Sequence, residues 1–327
     1  MSEGSKAPKT LADVSHLFFS AADERTKEAG DEGPARAAGR RPADPAQSAG
    51  RSGARDREPW RRTRVFVITG GNDGPGASTV AVNFAQAFAA RGRVGLFDAG
   101  AAAPNARFYL GLPSDGYLTE AVGGEAAAAS VEDSGVIVID CATGPQAASG
   151  LFDAGEIVRV DVAGEGRQEL DYAVVDLPVE RADWVAPVAG DTGLFVVVAQ
   201  PGRGSFDQTF AVLSILSRRC GLDSAGVLVN KVPDYRYAIE FHAKIREAAR
   251  RLLSMEAHFM GGVVFEEGLG SLQRETGAIV RSRSDAASAL ALRESAWNAM
   301  GFGREEERPT IVPVRTAEME TSRETTD

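Results

Sequence analysis

Residues Thr69–Thr79 read TGGNDGPGAST, a glycine-rich stretch between an apolar, β-branched run, Val65–Ile68, and a helix-like segment, Ser78–Arg91. A strand that ends in such a loop and passes straight into a helix makes a cradle for phosphate. Successive backbone N–H groups point inward, and the helix N-terminus adds partial positive charge. Gly71 and Gly76 stand at the spacing of the template G-x-x-x-x-G-K-[ST], with Ser78 in the hydroxyl position. Position 77, where the template has lysine, is alanine. The sequence therefore offers a phosphate loop without its main cation.

From Arg64 to about Gly303 strand-like and helix-like stretches alternate. Strands are expected at Val65–Thr69, Arg93–Asp98, Gly135–Asp140, Tyr172–Asp176, Leu194–Ala199, Gly226–Asn230 and Gly262–Phe265. Most are continuous apolar runs, as expected where helices cover both faces of a parallel sheet. Helices are expected at Ser78–Arg91, Ser205–Ser217, Tyr237–Leu253 and Ala286–Met300. Val80, Phe84, Ala87 and Phe88 line one face of the first; Phe241, Ile245, Ala248, Ala249, Leu252 and Leu253 line one face of the third. The expected fold is α/β, a doubly wound, mostly parallel sheet flanked by helices, with ligand at the carboxyl ends of its strands.

The 327 residues suffice for one such domain of roughly 230–250 residues plus tails. Residues 1–62 read as a disordered tail, 63–303 as the domain, and 304–327 as a charged, disordered tail. Glu24–Arg62 carries almost no branched aliphatics and so cannot offset its ordering entropy by burial. One island, within residues 10–21, interrupts it: Leu11, Val14, Leu17 and Phe18 form an apolar helical stripe. The Leu11–Phe19 segment reads either as a peptide that docks on a partner or as one that folds back on its own domain. A net charge of −10 disfavours non-specific adhesion to DNA. No apolar run is long enough for a membrane span, and no signal peptide is evident, so the expected location is cytoplasmic. Cys141 and Cys220 read as two buried thiols, and His16, His242 and His258 show no ligand spacing.

In this order and over most of the chain, the motifs resemble those of the MinD/ParA-type P-loop ATPases, in particular the FlhG-like flagellar regulator branch. The front half is also similar to the bacterial tyrosine kinases of polysaccharide export, but no tyrosine follows Tyr237 and the kinases' terminal tyrosine cluster is absent. The family's loop, K-G-G-x-G-K-[ST]-T, is matched by Asn72–Thr79, and its following helix by Val80–Ala89. The strand ending D-x-D is matched by Asp98-Ala99-Gly100. Pro104, Leu110–Pro113 and Tyr117–Val122 follow the family's frame. Asp171–Pro178 resembles its Walker B strand, and Val227–Asn230 the strand whose asparagine faces adenine. Asp140, closing Val136–Asp140, competes for the Walker B role; the Asp-Tyr before and the Pro after favour Asp176.

The resemblance implies a nucleotide site built from Gly71, Gly74, Gly76, Ser78, Thr79 and Asn230. Ser78, Asp98 and Asp176 would hold Mg, and Asp98 and Asp176 would serve any catalysis. Four loop positions depart from the pattern: Asn72 and Ala77 replace both family lysines, Asp73 adds a carboxylate, and Pro75 removes an N–H donor. Gly100 replaces the second acid of D-x-D. Since charge stabilisation supplies nearly all of phosphoryl-transfer catalysis, the expectation is weak ATP or ADP binding with Mg and no efficient turnover. Arg61, Arg62 and Arg64 lie at the wrong end of the first strand to compensate. The implied role is a regulatory or scaffolding subunit of a cell-envelope or polar machine, with protein partners. The resemblance also allows a homodimer and association with the inner face of the membrane through a partner. The alternative is a slow ATP-dependent dimerising switch.

Overall fold

The computed structural model describes residues 62–72, 74–100, 106, 109–110, 127–130, 135–141, 158–162, 166–186, 193–202 and 204–302. Both expected tails, the Leu11–Phe19 segment, Asp73, Pro104, Gly111–Pro113 and Tyr117–Val122 lie outside the described residues.

Eight strands form one sheet: β1 (Arg64–Gly70), β2 (Val94–Asp98), β3 (Ala127–Ser130), β4 (Val136–Asp140), β7 (Tyr172–Asp176), β8 (Leu194–Ala199), β9 (Ser224–Val232) and β10 (Glu256–Val264). Their spatial order is β10-β9-β8-β1-β7-β2-β4-β3, parallel throughout except for β3 against β4. A separate antiparallel hairpin consists of β5 (Arg159–Val162) and β6 (Gly166–Glu169). Helices α1 (Ala77–Phe88), α2 (Ser205–Cys220), α3 (Tyr235–Leu253), α4 (Leu269–Thr276), α5 (Ile279–Ser282) and α6 (Ala287–Gly301) complete the described elements, with a 3₁₀ turn at Val179–Trp184.

The strands are buried on both faces because alternate side chains feed two separate cores. On β1, Val65 and Val67 face one core, shared with α2 and α3; Phe66 and Ile68 face the other, shared with α1, α5 and α6. The second core holds an aromatic stack: Phe88 of α1 lies 4.6 Å from Phe66 and 5.5 Å from Tyr172, ring centroid to centroid. This stack seats α1 over β1 and β7, and so fixes where the helix N-terminus, and the loop before it, must lie.

Each expected strand and helix exists, with three differences in detail. The last strand runs Glu256–Val264 rather than Gly262–Phe265, and Phe265 lies beyond it, 60% exposed. On α3 the buried stripe is Ala238, Phe241, His242, Ile245 and Ala249; Leu252, expected on it, is 59% exposed, while Leu253 packs against the core. Cys141 is buried but Cys220, at the end of α2, is only half-buried. His242 has a packing role, with Nε2 2.9 Å from the Ala257 carbonyl oxygen and its ring against Phe259.

Phe88→Ala removes the centre of the aromatic stack, with Phe88 itself fully buried. The expected cost is about 3–5 kcal/mol of unfolding free energy, read from a urea transition that moves to lower midpoint.

Candidate functional site

The site forms where the carboxyl ends of four neighbouring strands meet the N-terminus of α1. Ile68 on β1 pairs with Asp176 on β7, and Asp176 pairs in turn with Asp98 on β2. These parallel registers put the two carboxylates in one row at the strand ends, directly beneath the loop. Ser78, in the first turn of α1, hydrogen-bonds to the Asp176 side chain. Asp140, by contrast, pairs with Asp98 one strand farther out. The geometry thus places Asp176 against the loop's hydroxyl.

Burial and the nearby Asp98 charge outweigh the Ser78 hydrogen bond and raise the Asp176 carboxyl from its ordinary 3.8 to about 7. Asp98 is 1% exposed and already engaged: its Oδ1 accepts from the Gly100 N–H (3.1 Å) and its Oδ2 from the Ala106 N–H (2.8 Å). Those bonds tie Gly100 and Ala106 to the row. Arg181, in the 3₁₀ turn after β7, donates to the Ala99 carbonyl at 2.9 Å. A guanidinium therefore stands beside the point where Gly100 replaces the second acid of the family pattern.

The loop keeps the conformation of a phosphate cradle. Gly74 and Gly76 take left-handed backbone angles (φ 69° and 93°), which L side chains rarely adopt. Gly76 is also the N-cap of α1, and no side chain caps that end, so the first-turn N–H groups are left for a ligand. A Cβ on Gly76 would sit 2.7 Å from Asn230 Nδ2, and one on Gly70 would sit 2.6 Å from Pro75 Cγ. Both glycines are required by close approach. Gly71 and Thr79 are half-buried on either side of the turn, and Asn72 is exposed.

Asn230 also meets the loop itself. It lies inside β9, which continues to Val232, and its Nδ2 donates to the Pro75 carbonyl at 2.8 Å while its Oδ1 accepts from the Lys231 N–H at 2.9 Å. Here its amide holds the loop's backbone. Lys231 was missed in the sequence: its Nζ donates to the Gly74 carbonyl at 2.7 Å and to Gln200 Oε1 at 3.1 Å. It directly follows Asn230 in the sequence. Arg64 is held at the far end of β1, by the carbonyls of Met300 and Phe302, and lies over the Phe66 ring. The expectation that it does not reach the loop holds.

These residues fit a magnesium nucleotide in kind. The cradle offers backbone donors, and Ser78 with two carboxylates suits a hard cation that otherwise leans on phosphate and water. Among the described residues no group of three or more His, Cys, Asp or Glu forms a closed metal cage. Such a nucleotide would supply the phosphates; Ser78, Asp98 and Asp176 would orient its cation, and the α1 N-terminus would hold the anionic charge.

The raised Asp176 carboxyl has a definite consequence for stability. Between about pH 4 and 7 the folded protein keeps a proton that the unfolded chain releases, so this group's contribution is greatest at low pH and is lost as pH rises through about 7. In urea titrations without divalent cation, Asp176→Asn is expected to flatten the fall in stability across that window. An unchanged slope would contradict the assignment.

No family model matches the chain. The antiactivator FleN of Pseudomonas aeruginosa is 26% identical over 236 residues, which span 70% of this chain and 84% of FleN. In the MinC:MinD cell division complex of Aquifex aeolicus, a chain superposes with a TM-score of 0.55 at 20% identity, covering 76% of this chain and 98% of that one. The septum site-determining protein MinD of Pyrococcus horikoshii, complexed with Mg-ADP, superposes with a TM-score of 0.50 at 15% identity, covering 72% and 94%. The structural matches share the fold, and the FleN match extends over 236 residues of sequence. The chain thus has the fold of the MinD/ParA-type P-loop ATPases and is similar in sequence to FleN.

Proposed function

We propose that this protein is a catalytically degenerate, FlhG-like regulatory or scaffolding subunit that retains weak nucleotide binding without efficient ATP turnover. The observation that carries the reading is Ala77. It opens α1 directly after the Gly76 cap, at the position from which the family's lysine reaches the phosphates. The second family lysine, which serves a partner's nucleotide across a dimer, is Asn72, exposed at the loop's edge. Removing one electrostatic stabiliser of a transition state typically costs about 3–4 kcal/mol, so two absent lysines leave hydrolysis near background. The cradle and the acidic row remain, which supports binding of ATP or ADP with Mg.

The relatives give this reading a setting. FleN is described as an antiactivator, and the Aquifex MinD is found in complex with MinC, so domains of this kind act by engaging other proteins. A cytoplasmic subunit that reaches the inner face of the membrane through a partner, in a flagellar or polysaccharide-export type of machine, fits that pattern. Among the described residues no helix is long and apolar enough to cross a membrane. The Leu11–Phe19 segment is the candidate tether to a protein partner.

A second reading, a slow switch that dimerises on ATP, is favoured by one feature: the intact Ser78–Asp176 pair beside Asp98. Phosphate release with Mg-ATP separates the two. The expected outcome for the protein as it stands is turnover within about tenfold of background, with a gain on Ala77→Lys. Turnover comparable to an active family member would refute the degenerate reading. Deleting residues 1–24 is expected to abolish partner recovery while leaving nucleotide affinity unchanged; undiminished recovery would remove the tether.

A further inference from the structure

Two described non-glycine residues have positive φ: Ser254, at the C-terminus of α3 where a left-handed residue is ordinary, and Lys231, at 56°. Lys231 is not at a helix end. It lies near the end of a buried parallel strand, where a long side chain is not expected to take that conformation without a reason. The turn aims its side chain across the end of β8 towards the loop. The ammonium ends 2.7 Å from the Gly74 carbonyl and 3.1 Å from Gln200 Oε1, which leaves one of its three donors unassigned by these bonds. Its neighbour Asn230 fixes the adjacent carbonyl, that of Pro75, so β9 grips two successive loop carbonyls. The grip turns the Gly74 and Pro75 carbonyls towards β9, while the Gly76 carbonyl accepts from the Val80 N–H inside α1.

We propose that Lys231 supplies, from β9, the cation that the phosphate loop lacks at position 77, and that it binds the phosphate groups of a nucleotide seated on the loop. The proposal rests on the reading that the loop still binds nucleotide. A chain of net charge −10 repels a polyphosphate at long range, so a local cation counts for more here than in a neutral protein. Lys231 is exposed, so its ammonium can leave the Gly74 carbonyl for a phosphate oxygen without a buried charge being stranded. The position also accounts for a division of function. A lysine in the first turn of α1 moves with the helix N-terminus and follows charge developing in a transition state. One reaching in from β9 binds charge already present and supports occupancy rather than turnover.

The test is calorimetric titration of the full chain with Mg-ADP and, separately, with inorganic pyrophosphate and Mg. Lys231→Met and Lys231→Gln are each expected to weaken both ligands by about tenfold or more, because both remove the charge. Lys231→Arg is expected to retain most of the affinity, and Ala77→Lys placed in the Lys231→Met background is expected to restore it. Glutamine can still donate to the Gly74 carbonyl, so wild-type affinity in Lys231→Gln would show a hydrogen-bonded staple and overturn the proposal. Loss of ADP binding with pyrophosphate binding intact would also overturn it, since the contact would then not be to phosphate. If the unaltered protein binds neither ligand at millimolar concentration, the proposal fails together with nucleotide binding, while the scaffolding role stands. Rapid phosphate release would instead refute the degenerate reading and leave the role of Lys231 to the titrations.

Discussion

The parallel register that sets Ile68 beside Asp176 and Asp176 beside Asp98 is the constraint from which the site follows. It places the end of β1, and therefore the loop, over a row of two carboxylates. The Phe66–Phe88–Tyr172 stack then holds α1 at the angle that brings Ser78 onto Asp176. Neither interaction needs a loop lysine. The frame can therefore keep its shape while the residue that gives such frames their chemistry is absent.

Retained shape and absent charge make an unusual electrostatic balance. Two buried acids lie close together, with the Asp176 carboxyl pushed up to about 7, while the loop above them carries no lysine of its own. Among the described residues, two cations approach from outside the motif: Arg181 at the Ala99 carbonyl and Lys231 at the Gly74 carbonyl. Both hold backbone in place, one over the acidic row and the other at the loop. On the reading proposed above, such a site holds its ligand rather than consuming it.

Much of the fold was legible because the central strands are unbroken apolar runs and the loop sits between β1 and α1 in its characteristic order. Part of what was missed lacks such signals. β3 is an alanine-rich edge strand, Ala127–Ser130, with neither a branched run nor alternation. The β5–β6 hairpin did carry a signal: Val158, Val160 and Val162 alternate and are all buried, but the strand is short and its partner Gly166–Glu169 is polar. In the site, Asp176 stands out in the sequence by the Asp-Tyr before its strand and the Pro after it. Lys231 could not be weighed from spacing alone, because its importance depends on a reversed backbone angle and on a contact spanning 157 positions of the chain.

The central claim is that the cradle persists as a binding site while its cation comes from β9. A crystal structure grown with Mg and a non-hydrolysable ATP analogue tests it most directly. The account predicts phosphates on the N–H groups of the first turn of α1, with Lys231 Nζ turned from the Gly74 carbonyl to a phosphate oxygen. A nucleotide bound with Lys231 still on Gly74, or a loop that excludes the analogue altogether, would contradict it.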